Sequence, residues 1–220
     1  MNELVRCEDV ARTYGRGTGA LVAVHGVTCA LRPGDRVAVT GASGSGKTTL
    51  LHLLAGLDRP TAGTIRWPAL DDRPQGRIGV VFQGPSLLPP LDAVENVALP
   101  LLIAGYPEAE ARRKALRALE AVGVHDLSGK LPEELSGGQA QRVAVARVLA
   151  SSPRLVIADE PTGQLDSALA LHVIDLLAGV TEELGAALVV ATHDPLIADR
   201  LPRRWEMRAG VLRGDLTCSS

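Results

Sequence analysis

The chain has 220 residues, is 46% hydrophobic and 22% charged, and carries a formal net charge of -2. That length is one domain's worth and buries a core without disulfides or metals, and the apolar fraction excludes a disordered chain. A near-neutral balance and an aromatic content of 2% argue against a nucleic-acid partner, which is held by a basic stripe and stacking rings.

The first residues, Met1-Asn2-Glu3-Leu4-Val5-Arg6, lack the basic and then apolar runs of a signal peptide. Residues 22–31 and 37–40 read as β-rich segments, the second running into a glycine-rich loop, and residues 50–54 read as a helix after it. Residues 78–82 read as another strand. The segment 85–107 holds four prolines before Tyr106 and is strongly apolar. It reads either as an interaction surface or as a core helix interrupted by Pro100. Residues 108–122, rich in Ala, Leu, Arg and Glu, have a helix composition, and a further helix runs from near Ser136 to Leu149. Residues 155–158 are a short apolar run suited to a parallel strand buried on both faces. Leu169, Val173, Leu176, Leu177, Val180 and Leu184 recur at helical spacing, and residues 188–191 form a second buried-type strand. Residues 205–208 and 211–213 flank Ala209-Gly210 as a hairpin.

Alternation of helix and strand in the later half predicts βαβ units and a parallel sheet, with the first stretch an antiparallel sheet abutting it. The longest apolar stretches, 97–104 and 186–191, fall short of the ~20 residues that span a bilayer, so a membrane connection is expected through a partner. Cys7, Cys29 and Cys218 are odd in number and far apart. They read as reduced thiols of a cytosolic protein rather than a disulfide framework or zinc site.

Gly41-Ala42-Ser43-Gly44-Ser45-Gly46-Lys47-Thr48 fits GxxxxGK[ST] between a strand and a helix, the context a P-loop requires. Its glycines let successive N–H groups point inward, and the helix start adds partial positive charge. Lys47 reaches the β- and γ-phosphates and the Thr48 hydroxyl can ligate Mg²⁺. Leu155-Val156-Ile157-Ala158-Asp159-Glu160 is an apolar strand ending in two acids, at the end where an α/β sheet presents its ligand crevice. Asp159 is expected as a partner of Mg²⁺ through its water shell, and Glu160 as the group that orients or deprotonates an attacking water. Leu135-Ser136-Gly137-Gly138-Gln139 opens a second anion-ready helix with Ser136 as N-cap. No lysine accompanies it, so it reads either as a plain capped helix or as a site for a nucleotide held by another copy.

Together with Gln83, Leu165-Asp166 and His193, these motifs in this order resemble those of the ATP-binding cassette (ABC) ATPases, over residues 14–210. The resemblance implies an α/β P-loop fold with a parallel-sheet core, an N-terminal antiparallel β-subdomain and a helical subdomain at about 85–150. Residues 1–220 would form one nucleotide-binding domain that takes ATP and Mg²⁺. It implies that Tyr14 stacks on adenine, that Gly41, Ser43, Gly44, Ser45, Gly46, Lys47, Thr48 and Thr49 cradle the phosphates, and that Gln83 links Mg²⁺ and water to a membrane partner. Ser136, Gly137, Gly138 and Gln139 would meet the γ-phosphate across a head-to-tail dimer of identical chains. Asp166 would connect the two sites, and His193 would hold the γ-phosphate and the water.

The segments Gly56-Leu57-Asp58-Arg59-Pro60-Thr61-Ala62-Gly63, Glu95-Asn96-Val97 and Thr192-His193-Asp194-Pro195 resemble the macrolide-exporter and lipoprotein-release ATPases. These drive an integral-membrane permease from the cytoplasmic side, which implies a cytoplasmic chain held peripherally on the inner face of the membrane. Gln164 stands where that group usually has Asn, and residues 65–78 are shorter than its usual insert. A division-type cassette, which transmits force without moving a solute, is the alternative. A chromosome or repair ATPase would need a long coiled-coil insertion between the nucleotide motifs.

Overall fold

Two sheets organise the chain, and two of the three strands of the first precede every strand of the second. The computed structural model describes residues 3–72, 74–163 and 165–214; Gln164 and Cys218 lie outside them. β1 (Val5–Tyr14) pairs antiparallel with β2 (Leu21–Leu31) and with β4 (Ala62–Arg66), in the order β2-β1-β4. Of these strands β2 is legible in the sequence pattern, whereas β1 and β4 are not. In β1, Val5, Cys7 and Val10 point inward, so the alternation slips at Asp9, whose φ is 49°. Such a bulge hides the period of two from a pattern search. β4 is a largely exposed edge strand containing Gly63, which gives little apolar signal.

The second sheet comprises β3 (Arg36–Thr40), β5 (Ile78–Val81), β6 (Leu155–Asp159), β7 (Ala187–Thr192), β8 (Arg203–Arg208) and β9 (Val211–Gly214). Its order is β5-β6-β7-β3-β8-β9, parallel throughout except for the β8–β9 hairpin at one edge. Both faces are covered, which is why these strands read as unbroken apolar runs. Ala38, Val156, Ala158, Leu188 and Val190 face one core. Val37, Val39, Leu155, Ile157, Ala187 and Val189 face the other, shared with the antiparallel sheet and α1 (Lys47–Leu54).

Around the first core lie α2 (Ala93–Ile103), α3 (Glu108–Ala121), α4 (Gly137–Leu149) and α5 (Ser167–Glu183), with the short α6 (Pro195–Ala198) after β7. α2, α3 and α4 pack on one another. Of the two readings its composition allowed, the segment 85–107 holds the core helix, which Pro100 does not interrupt. α2 continues through Pro100 and buries Val94, Val97, Ala98 and Leu101, while Leu102 and Ile103 are exposed. A capping box between Asp92 and Glu95 starts the helix. The buried Asn96 ties the preceding loop down, its Nδ2 donating to the carbonyls of Leu88 and Leu91 and its Oδ1 accepting from Leu88 N. No helix among the described residues is long and apolar enough to cross a membrane.

Candidate functional site

Because β5, β6, β7 and β3 are adjacent and parallel, their C-terminal ends share one edge of the sheet, where such folds place ligands. Each delivers one part of the site. β3 runs into the loop 41–46 and α1; β5 ends just before Gln83. β6 ends in Asp159 followed by Glu160, and β7 ends just before His193.

The loop closes tightly on the antiparallel sheet. Gly46 caps α1 with φ 103°, and a Cβ there would run into the Ala23 carbonyl oxygen of β2, so only glycine fits. Lys47 is 5% exposed, and its Nζ donates to the carbonyls of Gly41 at 2.9 Å and Ala42 at 3.1 Å. Ser45 Oγ is buried with no hydrogen-bond partner among the described residues. A buried ammonium and an orphaned hydroxyl at a helix N-terminus fit phosphate oxygens.

Glu160 sits behind the loop in the left-handed region, φ 46°, with its N–H donated to the Ala191 carbonyl. Strained backbone of this kind needs surrounding structure to hold it. Its carboxylate bridges two groups: Oε1 lies 3.7 Å from Lys47 Nζ and Oε2 lies 3.4 Å from His193 Nδ1. Asp159, one residue earlier, is buried.

A cleft of 680 Å³ gathers Tyr14, Ser43, Gly44, Gly46, Lys47, Thr48, Thr49, Gln83, Asp159 and Glu160 from the expected set. That volume suits a small ligand. A second, 190 Å³ cavity shares Glu160 and is lined by Thr162, Gly163, Leu165, Thr192, His193 and Asp194. Leu21, Val22, Ala23 and His25 of β2 and Ala209-Gly210 of the hairpin, none of them expected from the sequence, also line the cleft. They meet because His25 N donates to the Gly210 carbonyl and Gly210 N to that of Ser45. No motif announces such contacts between distant strands.

Ser136, Gly137, Gly138 and Gln139 do not line this cleft. Ser136 is the N-cap of α4, as expected, and Gln139 completes a capping box: Gln139 N donates to Ser136 Oγ and Ser136 N to Gln139 Oε1. A Cβ at Gly137 would meet nothing within 4 Å, whereas at Gly138 it would collide with Leu169 of α5. Asp166 also lies outside the cleft, capping α5 by accepting from Leu169 N at 3.0 Å. One glycine thus faces open space and its neighbour packs under the Asp166 helix.

A family model described as "ABC transporter" matches residues 24–163. The chain is 42% identical to the lipoprotein-releasing system ATP-binding protein LolD of Legionella pneumophila strain Paris, an alignment covering 96% of this chain and 98% of that protein, and 41% identical to its counterpart in strain Lens, with the same coverage. Among solved structures it is similar to the post-hydrolysis dimer of the ATP-binding cassette MJ0796 bound to ADP and Pi, at a TM-score of 0.86 and 35% identity, with 96% of this chain and 98% of that one covered. The cassette cbiO1 of Clostridium perfringens, part of the cbiONQ transporter complex, aligns at a TM-score of 0.83 and 30% identity over 97% of this chain and 88% of its own.

Proposed function

The chain belongs to the ABC transporter family, and from that premise we propose that it is the ATP-hydrolysing subunit of a lipoprotein-releasing type of membrane complex. The observation that carries the chemistry is the Glu160 carboxylate held between Lys47 and His193 at the edge of the phosphate cradle. ATP enters with its phosphates on the loop 41–46 and its base beside Tyr14. Lys47 neutralises charge on the β- and γ-phosphates. Glu160 orients a water and takes its proton as the water oxygen bonds to the γ-phosphorus and the bond to the ADP oxygen breaks. His193 steadies the γ-phosphate. Such transfer is mostly positioning and electrostatics.

The Thr48 hydroxyl, the Asp159 carboxylate and the Gln83 amide oxygen are hard donors in the same cleft, a set that suits Mg²⁺. They would hold the ion, which when bound spreads the charge of the transferring phosphoryl group. The second glycine-rich helix start completes the site from another copy, since Ser136 and Gly137 stand outside their own cleft. The dimeric form of the MJ0796 cassette supports this arrangement.

The permease engages a 570 Å³ groove between β5 and α2, where Phe82, Pro100, Ile103 and Tyr106 present apolar surface next to Gln83. Attachment through this groove puts the chain on the cytoplasmic face of the membrane. ATP hydrolysis measured against protein concentration tests the two-copy site. Turnover per chain is expected to rise with concentration and then saturate. Constant turnover at the lowest concentrations, where the chain is monomeric by sedimentation, overturns it.

A further inference from the structure

Tyr14 is not a free ring at the mouth of the cleft. Its hydroxyl donates to Asp58 Oδ2 at 2.8 Å, and Arg12 Nε donates to the same oxygen at 2.9 Å. The other carboxylate oxygen accepts from Arg59 N at 2.7 Å. The Arg12 guanidinium also lies 4.5 Å above the Tyr14 ring centroid, a cation–π contact. Neither Arg12 nor Asp58 lines the cleft, although Tyr14 does.

The anchor is tied to the phosphate cradle. Asp58 follows directly from the last turn of α1, with Leu57 N and Asp58 N both donating to the His52 carbonyl. Thr61 then clips the segment to β1: its N–H donates to the Ala11 carbonyl and its hydroxyl accepts from Thr13 N. α1 begins at Lys47 and has 8 residues, about 12 Å of rigid helix. Lys47 at one end and Asp58 just past the other fix the spacing between phosphate cradle and Tyr14.

We propose that Asp58 is a positioning residue for nucleobase recognition, holding Tyr14 with Arg12 at a set distance from Lys47. The inference rests on the base lying beside Tyr14, as proposed above. The ordering of Tyr14 is then accomplished before the ligand arrives, and the base does not have to supply it. The charge balance agrees with this. Burial opposes ionisation of Asp58, yet the Tyr14 hydroxyl, Arg59 N–H and Arg12 outweigh it and hold the carboxyl below its ordinary value. Arg12 is raised, first by the Tyr14 side chain and also by Asp58.

The test measures equilibrium binding of ATP and of inorganic tripolyphosphate, which has no base, to the full chain. Tyr14→Ala is expected to weaken ATP about tenfold and leave tripolyphosphate unchanged. Asp58→Ala is expected to weaken ATP about fivefold, to leave tripolyphosphate unchanged, and to add nothing in the Tyr14→Ala background. Equal weakening of both ligands, or full additivity with Tyr14→Ala, overturns the role of Asp58. If Tyr14→Ala weakens ATP and Asp58→Ala does not, this inference alone falls. If Tyr14→Ala has no effect, the base placement falls with it. Should Asp58→Ala fail to fold, Arg12→Met, which removes only the guanidinium, carries the same expectations.

Discussion

Oε2 of Glu160 lies 3.4 Å from Nδ1 of His193, although the two side chains come from the ends of different strands. The contact exists because β6 and β7 are parallel neighbours in register, Asp159 opposite Ala191. With Oε1 near Lys47, Glu160 stands at the edge of the loop 41–46, where the proposed mechanism has it take a proton from water.

Glu160→Gln keeps the shape and removes the basicity. ATP binding should persist and the steady-state hydrolysis rate should fall about 10²–10⁴-fold. Light scattering with Mg-ATP should then show an accumulated dimer. Hydrolysis near the wild-type rate would remove Glu160 from the chemical step.

If the proposed two-copy site holds, the adjacent glycines Gly137 and Gly138 should separate assembly from folding. Gly137→Ala adds a methyl where nothing lies within 4 Å, so the melting temperature should hold while dimer-dependent hydrolysis drops. Gly138→Ala drives a methyl into Leu169 and should cost about 1–3 kcal/mol in denaturant unfolding.

Arg147 of α4 donates to the carbonyls of Ser86 at 2.8 Å and Pro85 at 3.3 Å, while Gln141 of the same helix donates to that of Phe82. The loop after β5, with Gln83, is thus pinned to the helix that starts at Ser136. Arg147→Met should leave both carbonyls without this donor and lower stability by about 1–3 kcal/mol. Hydrogen exchange should accelerate at residues 83–86 before it does in β6.

Asp58 supplies a pH dependence whose sign follows from its lowered value in the folded chain. A depressed carboxyl contributes stability above its ordinary value of 3.8 and loses it as pH falls through the lower folded value. The melting-temperature gap between wild type and Asp58→Asn should therefore stay level from pH 8 to 5 and close below about pH 4. A gap that widens on acidification would contradict the ion pair with Arg12.

Cys7 and Cys29 face each other across β1 and β2, both buried. The Cys7 thiol is pushed well above its ordinary value, first by its hydrogen bond with Cys29 and then by burial. At pH 7.5 neither should react with an alkylating reagent until the chain is unfolded in denaturant, as peptide mapping by mass spectrometry would show.

Local patterns in the sequence were enough for the cradle, the acid pair and the buried strands, because each is set by neighbours within a few residues. Gly41 to Thr48 needs its own glycines and lysine, and the run from Leu155 to Asp159 needs only apolar side chains on both faces. β1 was hidden by the bulge at Asp9 and β4 by its exposure. The helix through Pro100 formed because Asn96 and the Asp92–Glu95 cap hold the segment whatever proline costs there. What only the tertiary structure decided is which distant residues share the site. His25, Ala209 and Gly210 reach the cleft, and Asp58 reaches Tyr14, through hydrogen bonds between segments that pair only after both sheets have formed. The physical reason is range: motifs record short-range geometry, whereas a ring's orientation or a carboxylate's second partner depends on where strands far apart in the chain come to rest.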